Sequence, residues 1–228
     1  MSTNAIVCIN LMYNNPLFHY DYFNDVCNTI LQSNNKVIFV IADTIGFYNY
    51  SGFHNLDDQA ALKKTYSKGK LVYDTLFDFR NQSKYRGNII ILKWDDIKTN
   101  KYKRDLLATV NEYRTNSEFK EKIKAIVKSR ISHYKNHYPL KDNHEQRFQY
   151  IVKYILSEIP LMLEGTVYKT STFNQVFCVK YKDDKGKDNY NSDSIESLLD
   201  DITENKSFPN IHKLLYNNSD QHTILLEK

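Results

Sequence analysis

The sequence predicts an α/β fold of the Rossmann-like type, in which a mostly parallel sheet carries helices on both faces. Its predicted strands are short and almost continuously apolar, a pattern typical of parallel strands buried on both faces. Segments with helical spacing separate these strands. The chain has 228 residues, of which 41% are hydrophobic and 14% aromatic, and a chain of this size buries a core without disulfides. We therefore expect a single domain over residues 1–228.

The elements follow from apolar runs and helical spacing, taken in chain order. The first strand is predicted at 5–11, where the sequence AIVCINL is rich in β-branched residues. Further strands are predicted at 36–42, 88–94, 175–182 and 223–227. Helices are predicted at 18–33, 56–82, 102–115, 118–135, 142–163, 194–202 and 210–215. Gly69 lies inside the second of these helices, and its cost of about 1 kcal/mol relative to alanine predicts a break there.

The charge of the chain is unevenly distributed along the sequence. The net charge is +4, but residues 61–135 hold 19 Lys and Arg against 8 Asp and Glu. A basic middle segment on a weakly basic protein favours a polyanionic partner such as nucleic acid. The alternative is a set of solvated helix faces with no partner.

The cysteine content and the chain start exclude several classes of protein. Cys8, Cys27 and Cys178 are an odd number at wide spacing with no CxxC pair, so we expect neither a disulfide framework nor a metal site. No apolar run approaches the roughly 20 residues of a membrane helix. Met1 to Asn4 carry no basic residue ahead of the apolar run, which disfavours a secretory signal. We expect a cytoplasmic protein.

The segment after the first strand disfavours two kinds of nucleotide site. It reads NLMYNNP over residues 10–16 and contains neither the GxGxxG of dinucleotide-binding proteins nor a phosphate-binding P-loop. The strand–helix–strand unit over 5–42 has the size of one mononucleotide-binding half of a dinucleotide-binding fold. It lacks the glycine-rich segment of such folds.

The segment YIVKYILSEIP over residues 150–160 carries the most informative pattern. Tyr154 and Glu158 are four residues apart, so they share one helix face. Pro160 removes one helical hydrogen bond and should bend the chain close to Glu158. Apolar neighbours predict a part-buried carboxylate, which needs a partner such as a substrate ammonium group. The alternative is a solvent-facing glutamate on an amphipathic helix.

Tyr154-x-x-x-Glu158-Ile-Pro160, followed by Leu161-Met162-Leu163, resembles the signature helix of the cyclodipeptide synthases. These are small Rossmann-like enzymes similar to the catalytic domain of class I tyrosyl- and tryptophanyl-tRNA synthetases. The resemblance extends in element order over roughly residues 5–182. It implies that two aminoacyl-tRNAs are joined into a cyclic dipeptide, a diketopiperazine, by ping-pong aminoacyl transfer. It also implies no cofactor, because the tRNA ester is already activated.

The resemblance assigns roles to individual residues. Glu158 would bind the amino group of the aminoacyl moiety, and Tyr154 would hold that group or relay protons. Tyr181 is the best match to a second catalytic tyrosine of the family, with Tyr168 as the weaker one. The basic patch that contacts tRNA in the family corresponds to Lys63, Lys64, Lys68 and Lys70. Predicted members of the substrate pockets are Cys8, Tyr13, Tyr102 and Arg130.

Position 10 departs from the family pattern. Cyclodipeptide synthases carry a nucleophilic serine after the first strand, whereas this chain reads Cys8-Ile9-Asn10, and a carboxamide is not a usable nucleophile. Asn10 could be an inactivating or engineered change. Alternatively, one aminoacyl amine attacks the other ester directly while Asn10 orients groups. As a third hypothesis, Cys8 supplies a thiolate, since residues 8 and 10 point to the same side of a strand.

Two other functions remain open from the sequence. One is a catalytically silent homologue that binds aminoacyl-tRNA or another RNA. The other is a small-molecule or nucleotide-binding α/β protein that shares only the topology. RNA binding with steep salt dependence but no product would indicate the first.

Overall fold

A computed structural model describes residues 4–9, 11, 20–54, 56–135, 144–164, 175–181, 198, 208 and 220–226. Its centre is a five-stranded sheet in the order β3-β2-β1-β4-β5, and every neighbouring pair is parallel. The strands are β1 (Asn4–Ile9), β2 (Lys36–Ile41), β3 (Ile89–Lys93), β4 (Gln175–Tyr181) and β5 (Asp220–Leu226). The predicted Rossmann-like class is therefore confirmed, and each strand overlaps its predicted range.

Six α-helices are described, and five of them overlap predicted helices. They are α1 (Tyr20–Ile30), α2 (Gly46–Phe53), α3 (Asp58–Gln82), α4 (Asn100–Thr115), α5 (Ser117–Lys135) and α6 (His144–Glu164). Side-chain caps begin two of them: Asp57 accepts the Ala60 N–H at 2.8 Å, and Thr99 accepts the Tyr102 N–H at 3.2 Å. No helix in the described part of the chain is long and apolar enough to cross a membrane.

Helix α2 was not predicted because its sequence, GFYNYSGF, is poor in strong helix formers. Tertiary contacts stabilise it instead. Arg147 of α6 donates from Nε to the Gly52 carbonyl at 2.7 Å and from Nη2 to the Phe53 carbonyl at 2.9 Å. A cation at these last carbonyls complements the negative end of the helix dipole. Gly52 also allows close packing, because a Cβ there would lie 2.8 Å from Ile151.

The break predicted at Gly69 is wrong, since α3 runs without interruption from Asp58 to Gln82. Gly69 is present because the helix passes very close to the end of β2. A Cβ at position 69 would lie 2.6 Å from the Cβ of Asp43. A packing requirement therefore explains this glycine, and it outweighs the helix propensity that the sequence alone reveals.

Asp43 joins the carboxyl ends of two neighbouring strands. It is 5% exposed, and its Oδ1 accepts the backbone N–H groups of Thr44 at 2.9 Å and of Trp94 at 3.0 Å. Buried carboxylates are stabilised by such backbone donors. The contact fixes the start of the turn that follows β3 and brings fully buried Trp94 under the sheet edge.

Alternation along the strands divides the core into two parts. Odd-numbered residues of β1 pack with α1 and α3, a surface that we call the α3 face. Even-numbered residues of β1 pack with α2, α4, α5 and α6, a surface that we call the α6 face. Helix α6 continues through Pro160 to Glu164, and apolar residues on both sides of Glu158, such as Ile155 and Ile159, belong to the buried cluster of the α6 face.

Candidate active site

The candidate site lies on the α6 face at the carboxyl end of β1. Cys8 is half-buried there, whereas the other five residues of β1 are buried. Its side chain packs against the hydrophobic cluster that contains Tyr154. Open α/β sheets bind ligands at the carboxyl ends of their strands. Cys8 is thus the one residue of β1 that is partly exposed.

Glu158 is a buried carboxylate with a cationic neighbour. The residue is only 6% exposed, and its Oε2 lies 3.8 Å from Nη2 of Arg130 in α5. A charge buried to this degree needs a counter-charge. The Arg130 side chain is 29% exposed, so the ion pair lies at the boundary between core and solvent. A substrate ammonium group could reach the carboxylate from that side.

Tyr154 lies one helical turn before Glu158 and is fully buried. Burial, followed by the negative charges of Glu158 and Cys8, holds its pKa well above the ordinary value. The Arg130 guanidinium lies 5.9 Å from the centre of its ring and opposes that shift. A side-chain contact with the Glu158 carboxylate adds to the rise of the Tyr154 pKa. Tyr154 is therefore a neutral phenol at neutral pH, held next to the Glu158 carboxylate.

Tyr102 of α4 supports the same part of α6. Its hydroxyl donates to the Ser157 carbonyl at 2.9 Å, and its ring meets Trp94 edge-on at a centroid distance of 6.1 Å. Burial is the largest cause that raises its pKa to about 12, and the nearby Glu158 charge adds to it. This contact fixes the helix beside Glu158. Tyr102 and Arg130, both predicted as pocket residues, thus converge on Glu158.

The backbone just after β1 is anchored by two side chains. The carbonyl of Leu11 accepts the Tyr50 hydroxyl of α2 at 3.0 Å and the Lys68 ammonium of α3 at 3.2 Å. Burial and then the charge of Lys64 lower the pKa of Lys68. Lys68 therefore helps to position the backbone at Leu11, next to the candidate site. Its position in a basic helix did not predict this contact.

The other predicted tRNA-binding lysines lie on the surface of α3. Lys63, Lys64 and Lys70 are exposed, and Lys70 pairs with Asp74 at 2.5 Å. Lys63 and Lys64 border an open cleft of about 440 Å³ between α2 and α3, with Tyr50 and His54 on its wall. Burial, and then the charges of Lys68 and Lys64, lower the pKa of His54. The cleft thus joins exposed cations to apolar and aromatic surface.

Comparison with known proteins gives a consistent result at the level of the fold. No protein-family model matches the sequence, and no curated protein matches it significantly. The solved structures that match it are cyclodipeptide synthases. One from Fluoribacter dumoffii has a TM-score of 0.69 at 15% identity, with 98% of this chain and 88% of that chain covered. The chain has the fold of the cyclodipeptide synthases.

Two further cyclodipeptide synthases extend the comparison. A Mycobacterium tuberculosis structure has a TM-score of 0.62 at 15% identity, with 79% of this chain and 74% of that chain covered. That structure relates cyclodipeptide synthetases to type I tRNA synthetases. A Candidatus Glomeribacter gigasporarum enzyme bound to Phe-tRNA has a TM-score of 0.57 at 15% identity. It covers 100% of this chain and 88% of that one.

Apart from the lysines of α3, the predicted site residues fall into three groups. Tyr154, Glu158, Arg130, Tyr102 and Cys8 are brought together on the α6 face. Asn10, Tyr13 and Tyr168 lie outside the described residues, so their predicted roles stay predictions. Tyr181 is the last residue of β4 and pairs with Leu226 of β5. Along β4 it lies four residues after Phe177, which pairs with Val7 of β1. Among the described residues, no group of three or more His, Cys, Asp or Glu could hold a metal ion.

Sequence reasoning missed two supporting residues of this candidate site. Tyr50 anchors the Leu11 carbonyl, and Asp43 holds the Trp94 backbone. Tyr50 lies in the helix that was not predicted, which left no signal for its role. Asp43 follows an apolar strand directly, and a carboxylate at a strand's carboxyl end is the signal that could have identified it.

Proposed function

We propose that this chain is a tRNA-dependent cyclodipeptide synthase, an aminoacyltransferase that joins two aminoacyl groups taken from aminoacyl-tRNA. The observation that carries the proposal is buried Glu158, one helical turn from fully buried Tyr154, at the carboxyl end of a parallel sheet with the fold of those enzymes. The chain would act as one domain in the cytoplasm and would use two aminoacyl-tRNAs per product, without a cofactor.

Each residue of the site has a chemical role in this proposal. Glu158 binds the ammonium group of the aminoacyl moiety, because a carboxylate at the edge of the core is a strong and directional partner for it. Arg130 balances the same carboxylate before substrate arrives. Neutral Tyr154 offers its hydroxyl to the ester or to the amine during proton transfer. Tyr102 holds the helix that carries both groups.

The reaction requires only the energy of the tRNA ester. Either a protein nucleophile takes the first aminoacyl group from its ribose oxygen, or that group stays on its tRNA until ring closure, with Asn10 orienting the reacting groups. The amine of the first group attacks the carbonyl of the second aminoacyl ester, which forms a peptide bond and releases the second ribose hydroxyl. The new amino terminus then attacks the first carbonyl, which closes the six-membered ring and releases the group that held this carbonyl.

Electrostatics support an aminoacyl-tRNA partner. Lys63 and Lys64 are exposed beside the α2–α3 cleft, and the segment 61–135 as a whole is strongly basic. Lysine ammonium groups contact phosphates as point charges and add affinity that falls as salt increases. The cyclodipeptide synthase from Candidatus Glomeribacter gigasporarum, which shares this fold, is bound to Phe-tRNA.

A second candidate function rests on position 10. Asn10 stands where the resembled family places its serine nucleophile, and a carboxamide does not replace it. A catalytically silent homologue would keep the basic surface and the ammonium site but would release no cyclic product. It would bind aminoacyl-tRNA with the same salt dependence as an active enzyme.

Product analysis in bacterial cultures distinguishes the two functions. Culture medium from cells that express the parent chain, Asn10→Ser or Glu158→Ala is searched by mass spectrometry for cyclic dipeptides absent from an empty-vector control. The proposal predicts product from the parent and none from Glu158→Ala. Product from Asn10→Ser alone would indicate the silent homologue. No product from any chain, with no RNA bound at low salt, would refute both functions.

A further inference from the structure

The cleft between α2 and α3 has the size and the lining of a ligand site. Its volume of about 440 Å³ lies within the range of roughly 300–1,000 Å³ that small-molecule sites occupy. His54, Leu56 and Ala60 contribute aromatic and apolar surface to it, and the exposed side chains of Lys63 and Lys64 border it. The cleft therefore combines an apolar interior with a cationic rim.

His54 presents an aromatic ring to this cleft. The residue is half-buried, and its ring meets that of Tyr50 at a centroid distance of 5.0 Å and an interplanar angle of 38°. Tyr50 is 1% exposed, so it supports the imidazole from the protein side while His54 is the ring that a ligand can reach. Burial is the largest cause that lowers the pKa of His54, which keeps the ring neutral at neutral pH. A neutral aromatic ring is a surface on which another flat ring stacks.

The rim of the cleft has the charge that a nucleic acid strand requires. Lys63 and Lys64 are consecutive on α3, and the positive charge of Lys64 reaches the cleft, since it contributes to the lowered pKa of His54. Single-stranded nucleic acid combines negative phosphates with flat bases, and proteins bind it with cations placed beside aromatic rings. The bases that proteins stack in this way are unpaired, because pairing keeps a base inside the duplex.

The cleft lies next to the backbone that follows β1. The Tyr50 hydroxyl donates to the Leu11 carbonyl at 3.0 Å, and Leu11 is two residues after Ile9, the last residue of β1. The candidate site lies at this same end of β1. Tyr50 therefore belongs both to the wall of the cleft and to the support of the site, which brings a base in the cleft close to an acyl group at the site.

We infer that the cleft between α2 and α3 binds an unpaired base from the 3′ end of the tRNA, stacked on His54, with Lys63 and Lys64 contacting the flanking phosphates. This inference rests on the proposed function and deepens it, because it assigns the cleft to the single-stranded end that carries the aminoacyl group. Stacking tolerates every base. The cleft thus recognises an unpaired 3′ end that all tRNAs share and does not select one particular tRNA.

RNA hairpins that copy an acceptor stem, with and without the unpaired 3′ end, test this base site. Fluorescence anisotropy at several salt concentrations measures their affinity for the purified chain. The parent should bind the hairpin with the unpaired end about tenfold more tightly than the other. His54→Ala should lose most of this difference without a change in the slope of log affinity against log salt. Lys63→Ala should keep the difference and lower that slope by about one.

A second variant fills the cleft and leaves His54 in place. Ala60→Phe puts a ring into the space that the base would occupy, so both hairpins should bind this variant equally well. Gln59→Phe is the matched control, because it adds the same ring at an exposed neighbouring position that does not line the cleft, and it should behave like the parent. Equal binding of the two hairpins by the parent, or a difference that persists in Ala60→Phe, would overturn the inference.

Product analysis keeps the outcome for the cleft apart from the outcome for the proposed synthase. Cyclic dipeptide from a parent chain that does not distinguish the hairpins would overturn the base site alone. A clear difference between the hairpins without cyclic dipeptide would support the base site and refute the synthase. Binding of free AMP or CMP in the cleft, with no gain in affinity from the unpaired RNA end, would assign the cleft to a free nucleotide and overturn the inference.

Discussion

The two faces of the sheet are built for different tasks. The α3 face is a nearly uniform apolar core in which Phe23, Phe39 and Phe79 meet at centroid distances of 5.5 Å. The α6 face buries Glu158, Tyr154 and Tyr102 at the same depth. Burial of polar groups reduces the net gain from folding unless each has a partner. The comparison indicates that the α3 face is an almost wholly apolar core, whereas the α6 face combines the larger apolar cluster with the buried polar groups of the candidate site.

The largest expected effect on stability comes from Phe79, which joins the α3 face to α1. Phe79→Ala removes a fully buried ring that contacts Phe23 and Tyr20 and should lower the free energy of unfolding by about 3–5 kcal/mol. Phe77→Ala on the same helix is the matched control, because Phe77 is 39% exposed. Urea denaturation measures both. Similar losses in the two variants would contradict the role given to the α3 face.

Alkaline pH should lower the stability through groups on both faces. Burial raises the pKa of Tyr102 from 10.0 to about 12 and that of Cys27 from 9.0 to about 12. The folded pKa exceeds the unfolded one, so the stability is present below about pH 9 and is lost as pH rises toward 12. For Tyr102 the loss is about 3 kcal/mol across its window.

Urea denaturation at several pH values separates the contribution of Tyr102. The free energy of unfolding of Tyr102→Phe should fall less than that of the parent above pH 10, by about 3 kcal/mol in total. Tyr66→Phe, at a 53% exposed position, should follow the parent. An unchanged slope in Tyr102→Phe would mean that the phenol ionises as easily in the folded chain as in the unfolded one.

In Gly69→Ala, helix propensity and side-chain packing have opposite effects on the stability of the fold. Alanine favours the helix by about 1 kcal/mol, but its Cβ would lie 2.6 Å from that of Asp43. Overpacking of this kind costs about 1–3 kcal/mol, so a net loss of stability is expected. Ser67→Ala, at an exposed position of the same helix, should not destabilise the chain. A melting temperature that rises in Gly69→Ala would show that the contact yields easily.

The smallest expected effect concerns the exposed lysines. Lys63→Ala and Lys64→Ala should each weaken aminoacyl-tRNA binding modestly and lower the slope of log affinity against log salt by about one. Lys36→Ala is the control, because Lys36 is exposed at the amino end of β2, opposite the candidate site. An equal change in slope for Lys36 would indicate diffuse attraction to the whole chain instead of a localised surface.

The fold could be predicted further than the site. Apolar runs located all five strands, because such runs are the local signal typical of parallel strands. Helix α2 and the role of Gly69 escaped prediction because both depend on contacts from distant segments, Arg147 for the first and Asp43 for the second. Local propensity carries no record of such contacts.

The candidate site shows the same limit. The spacing of Tyr154 and Glu158 placed them on one helix face, and the structure brings both to the sheet edge. Their relation to Arg130 depends on how α5 packs against α6, which no spacing within one helix encodes. The predicted contact of Lys68 with tRNA stays a prediction, but its ammonium also donates to the Leu11 carbonyl. That tertiary contact was not indicated by the sequence.

The most direct test of the account is the turnover of purified Glu158→Gln. This change keeps the shape of the side chain and removes the charge that would bind the substrate ammonium group. Cyclic dipeptide formation from charged tRNA should fall by about 10²–10⁴-fold, while Glu145→Gln, at an exposed position of the same helix, should retain the parent rate. Equal rates for Glu158→Gln and the parent would contradict the assignment of the α6 face as the catalytic one.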